Sequence, residues 1–133
     1  GTMEMPRFRG NVTVMRYAPQ TEILRSASLC ISHGGMNTVN ESLYFGVPIL
    51  VLPVTNDQPG LAARVVFSGA GESLSGHQIS IERLRSLIVK ILENGSYRER
   101  ARKIRELMIR AGGIPKAVSI IEKCCSGKDS SLK

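Results

Sequence analysis

A doubly wound, Rossmann-like α/β domain with a parallel sheet and a helical C-terminus is the fold this sequence predicts, and three observations carry it. Short apolar runs alternate with stretches of helical period, the pattern of parallel strands joined by right-handed crossovers. The run Pro-Ile-Leu-Val-Leu-Pro at 48–53 is too apolar to be half exposed, so it belongs at the centre of such a sheet. Gly34-Gly35 directly follows another apolar run and precedes a helical stretch, which makes it a strand-to-helix turn.

The elements follow in order. Residues 11–17, Asn-Val-Thr-Val-Met-Arg-Tyr, alternate as a strand, and Pro19 stops it before a short helix over 21–27. Residues 29–32 form the next strand, and a helix over 36–45 ends at Gly46 as its C-terminal cap. After the central strand at 48–53, Asp57 is placed to cap a helix that carries Pro59 in its first turn and runs to Ser68. Gly69-Ala70-Gly71 breaks that helix, and residues 72–75 make a short fourth strand. Three helices close the chain, over 80–93 with Ser80 as cap, 96–111 and 114–124. Residues 1–10 read as an expression scar and lead-in, 11–125 as one ligand-binding domain, and 126–133 as a frayed polar tail.

Composition narrows the function classes. At 133 residues the chain is one domain, with 42% hydrophobic and 22% charged residues and no apolar run of membrane-spanning length. Cys30 falls inside a strand as core packing, and Cys124 and Cys125 are adjacent, a spacing that suits neither zinc nor a disulfide framework. A reducing, cytoplasmic setting and no metal site are the expectations. The net charge of +7 lies wholly in residues 81–133, where Arg98, Arg100, Arg102, Lys103 and Arg105 interleave with Glu99 and Glu106. Such a pattern reads as a solvated face, and the scarcity of aromatic residues argues against nucleic acid as a partner.

Ligands of open parallel sheets bind beyond the carboxyl ends of the strands. Residues 17–20, 33–35 and 54–58 all fall there, so three loops are expected to converge. No Lys follows the glycines, which excludes the triphosphate P-loop, and the pair is too short for a dinucleotide fingerprint. What remains is an anion site of neutral donors: helix-end amides at Gly35, the Asn37 amide, the Thr38 hydroxyl and the His33 ring. These suit a diphosphate whose charge must be stabilised as it leaves. Glu41, one turn beyond Asn37, repels phosphate and fits two hydroxyls, such as those of a ribose. Asp57 and Gln58 suit a hydroxyl-rich ligand, and Tyr17 offers a flat face to a base. Together these groups describe a nucleotide sugar. Blander readings stand beside them: His33 as a strand-end histidine satisfied by backbone, Asp57 as a helix cap only, Glu41 as a solvated helix residue, Tyr17 as a core aromatic. Gln58 alone has no structural excuse. Glu22 and Asn40 read as surface, and His77 is given no role.

Tyr17-Ala-Pro-Gln20, His33-Gly-Gly-Met-Asn-Thr38, Glu41, Gly46-Val-Pro48 and Asp57-Gln58 together resemble the donor-binding signature of family 1 glycosyltransferases with the GT-B fold, in the macrolide and carotenoid glucosyltransferase branch. The resemblance implies an inverting, metal-independent hexosyl transfer from a UDP-glucose-like donor to a hydroxyl of a small acceptor, with no cofactor. It implies that Tyr17 stacks on the base where Trp is usual and Gln20 lies near the uracil. His33, Gly35, Asn37 and Thr38 would hold the diphosphate, Glu41 the ribose, and Asp57 with Gln58 the sugar. It also implies what is missing: an N-terminal acceptor domain that supplies the catalytic base, and two strand-helix units ahead of residues 11–17. The isolated chain is therefore expected to bind donor weakly and turn over nothing. Alternatives are a donor-binding subunit of a two-chain transferase, another GT-B enzyme such as an N-acetylglucosaminyl transferase or nucleotide-sugar 2-epimerase, and a basic-helix binder of nucleic acid. The Asp57-Gln58 pair argues against the other GT-B enzymes.

Overall fold

A computed structural model describes residues 10–55 and 57–126, with the side chain of His77 left aside. The expected lead-in before residue 10 and the tail from 127 lie outside the described residues. The elements are α1 (Gln20–Ser26), β1 (Cys30–Ser32), α2 (Met36–Tyr44), β2 (Ile49–Val51), α3 (Gln58–Ser68), β3 (Gly71–Ser73), α4 (Ile81–Glu93), α5 (Gly95–Arg110) and α6 (Gly113–Cys125), with a 3-10 turn over Gly76–Gln78.

The sheet has the order β1-β2-β3 and is parallel throughout, with Ile31 opposite Leu50 and Leu50 opposite Glu72. As the apolar run predicts, β2 is central, and Ile49, Leu50 and Val51 are all fully buried. Its alternation divides the core. Ile49 and Val51 meet Val39 of α2 and Ala62 and Val65 of α3 on one face. Leu50 meets Ile91 of α4 and Tyr97 of α5 on the other, with Leu84, Leu87 and Ile88 packed around them. Leu84, Leu87, Ile88 and Ile91 recur at helical spacing, which is why α4 lays one stripe on the sheet.

One predicted strand is not there. Residues 10–19 form neither strand nor helix and are exposed throughout. Alternation specifies which face a strand buries, but the ladder needs a neighbour to receive its N–H and C=O groups. Among the described residues β1 pairs only with β2, and its outer side is open, leaving Ile31 46% exposed. Among the described residues no further strand lies beside β1 to carry the pairing across.

The caps follow the sequence more closely. Ser80 Oγ accepts from Arg83 N at 3.2 Å and starts α4. Asn94 ends α4 through its own N–H on Lys90 O and starts α5 through Oδ1, which accepts from Ser96 N at 3.0 Å. Gly46 takes φ +69° just past α2, as its capping role requires. Asp57 differs: it precedes α3 with helical backbone angles, φ −79° and ψ −10°, and its carboxylate caps nothing. A capping side chain needs an extended backbone to turn back over the first N–H groups, and Asp57 lacks one.

The basic helix α5 is more than a solvated face. Arg98 donates to Ala27 O at 3.0 Å and Ser28 O at 2.9 Å, just ahead of β1. Arg102 and Arg105 lie against Gly46 ahead of β2, and Arg100 lies against Gly69 ahead of β3. Arginine side chains of α5 thus strap the amino ends of all three strands, Arg98 through its guanidinium and the others through their stems. Lys103 with Glu99 at 2.6 Å and Arg110 with Glu106 at 3.9 Å are exposed pairs one turn apart, and these are the solvated part. In contrast α6 buries no residue among those described. Glu22 and Asn40 are exposed, as their surface reading requires.

Glu72 ties β3 to the helices behind it. Lys90 Nζ donates to Glu72 Oε1 at 2.5 Å, and the Tyr97 hydroxyl donates to the same oxygen. Burial alone would raise the Glu72 carboxyl, but the hydrogen bonds from Lys90 and Tyr97 and the Lys90 charge outweigh it, leaving it below its ordinary value. Its hydrogen bond to Glu72 likewise raises Lys90.

A carboxyl depressed on folding contributes stability that is present above its unfolded pKa and lost as pH falls through the folded value. Urea unfolding followed against pH should therefore weaken below about pH 4, and Glu72→Gln should flatten that acid limb while costing about 1 kcal/mol at neutral pH. A second expectation concerns packing. A Cβ at Gly71 would stand 1.8 Å from Ile49 O, a backbone atom that cannot yield. Gly71→Ala should lose more than about 3 kcal/mol in the same assay.

Candidate functional site

The first turn of α2 leaves its N–H groups uncapped. Its N-cap is Gly35, which has no side chain to satisfy the free N–H groups, and no acidic residue occupies the first turn. Gly34 makes the approach possible. It adopts φ +89°, donates its N–H to Ser32 Oγ at 3.2 Å, and packs so closely that a Cβ would lie 2.5 Å from Val51 Cγ1. The His33 ring folds over Gly35, where a Cβ would come within 2.9 Å of Nε2.

The side chains expected at the phosphate end come together. His33, Gly35, Met36, Asn37 and Thr38 line one cavity of about 310 Å³ at the helix start. His33 also borders a neighbouring cavity of about 580 Å³, which reaches Ile31, Leu52, Val54 and Ile79 across the strand ends. A larger, mainly apolar groove of about 940 Å³ continues from Val54 along α3 to Phe67. The small cavity is distinguished by its chemistry rather than its size, since the uncapped first turn of α2 stands there beside His33, Asn37 and Thr38. Leu52, Gly76 and Ile79 are lining residues that sequence reasoning missed, because apolar positions after a strand carry no chemical signal.

Glu41 stands one turn beyond Asn37 on α2 and is half buried. Gln20 Nε2 donates to Glu41 Oε2 at 2.7 Å and reaches Thr38 Oγ1 at 3.5 Å. The first residue of α1 is thereby joined to the surface of α2. Tyr17 is not joined to it in this way: with its strand absent it is 82% exposed. The expected convergence therefore holds for loops 33–35 and 54–58, and for the third only through Gln20.

Asp57 is exposed at the start of α3. Gln58 carries a structural role that the sequence reading denied it. Its Oε1 accepts from Val54 N at 2.8 Å and Thr55 N at 3.1 Å, while its own N–H bonds Thr55 O at 3.3 Å. The signal was present as Thr55-x-x-Gln58, the spacing of a capping box in which the later side chain reaches back to the N–H of the earlier residue.

Cys30 packs against the core with its thiol pushed up by burial, an effect the Ser42 hydroxyl partly offsets. Cys124 and Cys125 are free and exposed. Among the described residues, no group of three His, Cys, Asp or Glu side chains is placed to hold a metal ion, and no helix is long and apolar enough to cross a membrane.

Residues 2–126 match the family described as "Erythromycin biosynthesis protein CIII-like, C-terminal domain", and the chain belongs to that family. It is 38% identical over 130 residues to the uncharacterised UDP-glucosyltransferase YojK of Bacillus subtilis, covering 98% of this chain and 32% of that protein. It is 37% identical to the zeaxanthin glucosyltransferase of Pantoea ananas, over 94% of this chain and 29% of the relative. Among solved structures, the spinosyn forosaminyltransferase SpnP superposes with a TM-score of 0.87 at 29% identity, over 95% of this chain and 34% of that one. The glycosyltransferase VinC in complex with dTDP gives 0.70 at 26% identity, over 72% and 24%. The chain thus spans about a third of the length of its curated relatives. The expected kinship with macrolide and carotenoid GT-B glycosyltransferases, through their C-terminal half, holds.

Gly34→Ala places a side chain where φ +89° and Val51 Cγ1 both oppose it. It should cost about 2–3 kcal/mol in urea unfolding and move the amide resonances of Gly35 and Asn37, which depend on that turn.

Proposed function

We propose that this chain is the donor-binding part of an inverting, metal-independent glycosyltransferase that moves a hexose from a nucleoside diphosphate to a hydroxyl of a small acceptor. The observation that carries the proposal is the uncapped start of α2, with His33, Asn37 and Thr38 around one cavity and Glu41 on the next turn. Exposed amides at a helix start stabilise negative charge, and charge grows on the diphosphate as its bond to the anomeric carbon breaks. Neutral donors supply that stabilisation here. Glu41, kept off the phosphates by its own charge, accepts from the ribose hydroxyls. Asp57 and Gln58 face the transferred sugar, and Tyr17 with Gln20 attends the base.

The acceptor hydroxyl attacks the anomeric carbon from the side opposite the diphosphate. Its proton goes to a base outside this chain, and the configuration inverts. We assign that base and the acceptor contacts to an acceptor domain, on the same polypeptide or on a partner. Both uridine and thymidine donors are consistent with the relatives, since YojK carries the name of a UDP-glucosyltransferase and VinC was solved with dTDP. The donor is a substrate, and no cofactor is invoked.

Titration of the 15N-labelled chain with UDP-glucose and dTDP-glucose tests this. Weak binding, on the order of 1 mM, should move Gly35, Asn37 and Gln58 together, with no glycosyl transfer to a phenolic acceptor. Movement confined to α5, or transfer by the isolated chain, would sink the proposal. Glu41→Ala should weaken UDP about tenfold, the value of one charge-assisted hydrogen bond pair, while leaving inorganic pyrophosphate binding unchanged.

A further inference from the structure

We propose that Gln58 is a positioning residue: its side-chain carbonyl clamps the turn after β2 and so sets how that turn meets the anion-binding turn after β1. The inference rests on the donor-site reading above and gives Gln58 a task separate from touching the sugar. Two backbone N–H groups, of Val54 and Thr55, point at one side-chain atom of Gln58. Only an oxygen can accept both, so chemistry fixes the orientation of the amide. The return bond from Gln58 N to Thr55 O closes the same turn from the other side. The turn is held by three hydrogen bonds that all involve one residue.

The clamp reaches the neighbouring loop through packing. A Cβ on Gly34 would lie 3.8 Å from both Gln58 Cβ and Gln58 O, so Gln58 backs directly onto the glycine that shapes the start of α2. Val51, the other neighbour of Gly34, is the last residue of the central strand. Gly34 is therefore bounded by the end of β2 and by the residue that clamps the turn following it. Releasing Val54 and Thr55 removes a restraint on the wall that Gly34 leans on, with the uncapped amides one residue away. A second consequence concerns recognition. With Oε1 committed, Gln58 can offer a ligand only its NH2 group, which selects for hydroxyl or phosphoryl oxygens that accept.

Amide hydrogen exchange on the whole chain, without nucleotide, tests the clamp. Gln58→Met removes the acceptor at similar length, and Gln58→Glu keeps an oxygen for both N–H groups. In Gln58→Met, Val54 and Thr55 should exchange about tenfold faster or more, the Gly34 and Gly35 resonances should move, and the urea midpoint should stay near the parent value. Gln58→Glu should restore protection of Val54 and Thr55 to within about twofold. UDP, which carries no hexose, should bind several-fold more weakly to the Met variant. Unchanged exchange in Gln58→Met, or equal loss in Gln58→Glu, overturns the clamp. Weaker UDP binding with unchanged exchange would make Gln58 a ligand contact only, and overturns it equally. The exchange arm contains no nucleotide, so a parent chain that shows the clamp but ignores UDP would defeat the donor-site reading alone.

Discussion

Parallel pairing of β1 and β3 onto the buried strand β2 gives the sheet two unlike ends, and most of what the molecule can do depends on that polarity. Because Ile49, Leu50 and Val51 are fully buried between helices on both faces, neither face is free for ligand, and binding chemistry is driven to the loops. At the carboxyl ends the chain must turn sharply into a helix, and Gly34 and Gln58 supply the means. At the amino ends the incoming turns carry no such chemistry and are covered by α5. Arg98, Arg100, Arg102 and Arg105 lie there, against the segments ahead of the three strands. The arginines of α5 thus sit at the end of the sheet away from the start of α2. The anion binding proposed at α2 therefore relies on local amides and neutral side chains rather than on the net charge of +7.

The same polarity explains the place of the Glu72 cluster. Glu72 is held by Lys90 and Tyr97 on the helices behind the sheet, so its charge is spent within the fold. Tyr97 joins this cluster while packing beside Leu50, which couples an electrostatic contact to the apolar core behind the sheet. Glu41 is the contrasting carboxylate. Among the described residues its partner is the neutral Gln20, which leaves Glu41 accepting capacity to spare.

Local chemistry was the part of the fold legible in the sequence. The spacing of Leu84, Leu87, Ile88 and Ile91, the Ser80 cap, the Gly46 terminator and the apolar run of β2 each predict what is found, because each is decided within a few residues. That His33, Gly35, Asn37 and Thr38 share one cavity was legible for the same reason, since one helix start brings them together. What was not legible depended on partners. The strand over 11–17 needs a neighbour that its own alternation cannot reveal. Asp57 has the composition of a cap, but the backbone angle that decides capping is set by the preceding turn. Arg98 reads as one more exposed charge until the loop ahead of β1 is brought beneath it. Gln58 is the instructive intermediate, legible through the Thr55-x-x-Gln58 spacing and overlooked in favour of its chemistry.

The unpaired segment and the well-formed turn together determine how the site is organised. Gly34, Gly35, Asn37 and Thr38 are fixed by the core, since β1 and α2 pack against Val51, Ala62 and Val65. Tyr17 and the residues leading to Gln20 have no such support among the described residues, and they are exposed. If the donor site proposed above is right, its diphosphate end is preorganised and its base end is ordered at the expense of binding energy. Gln20 lies at the border between them. Its bond to Glu41 anchors the start of α1 to α2, so ordering of the segment before it can propagate from that one contact. A strand added along the open side of β1, where Ile31 is half exposed, would extend the sheet toward residues 11–17 and give their alternation a ladder to join.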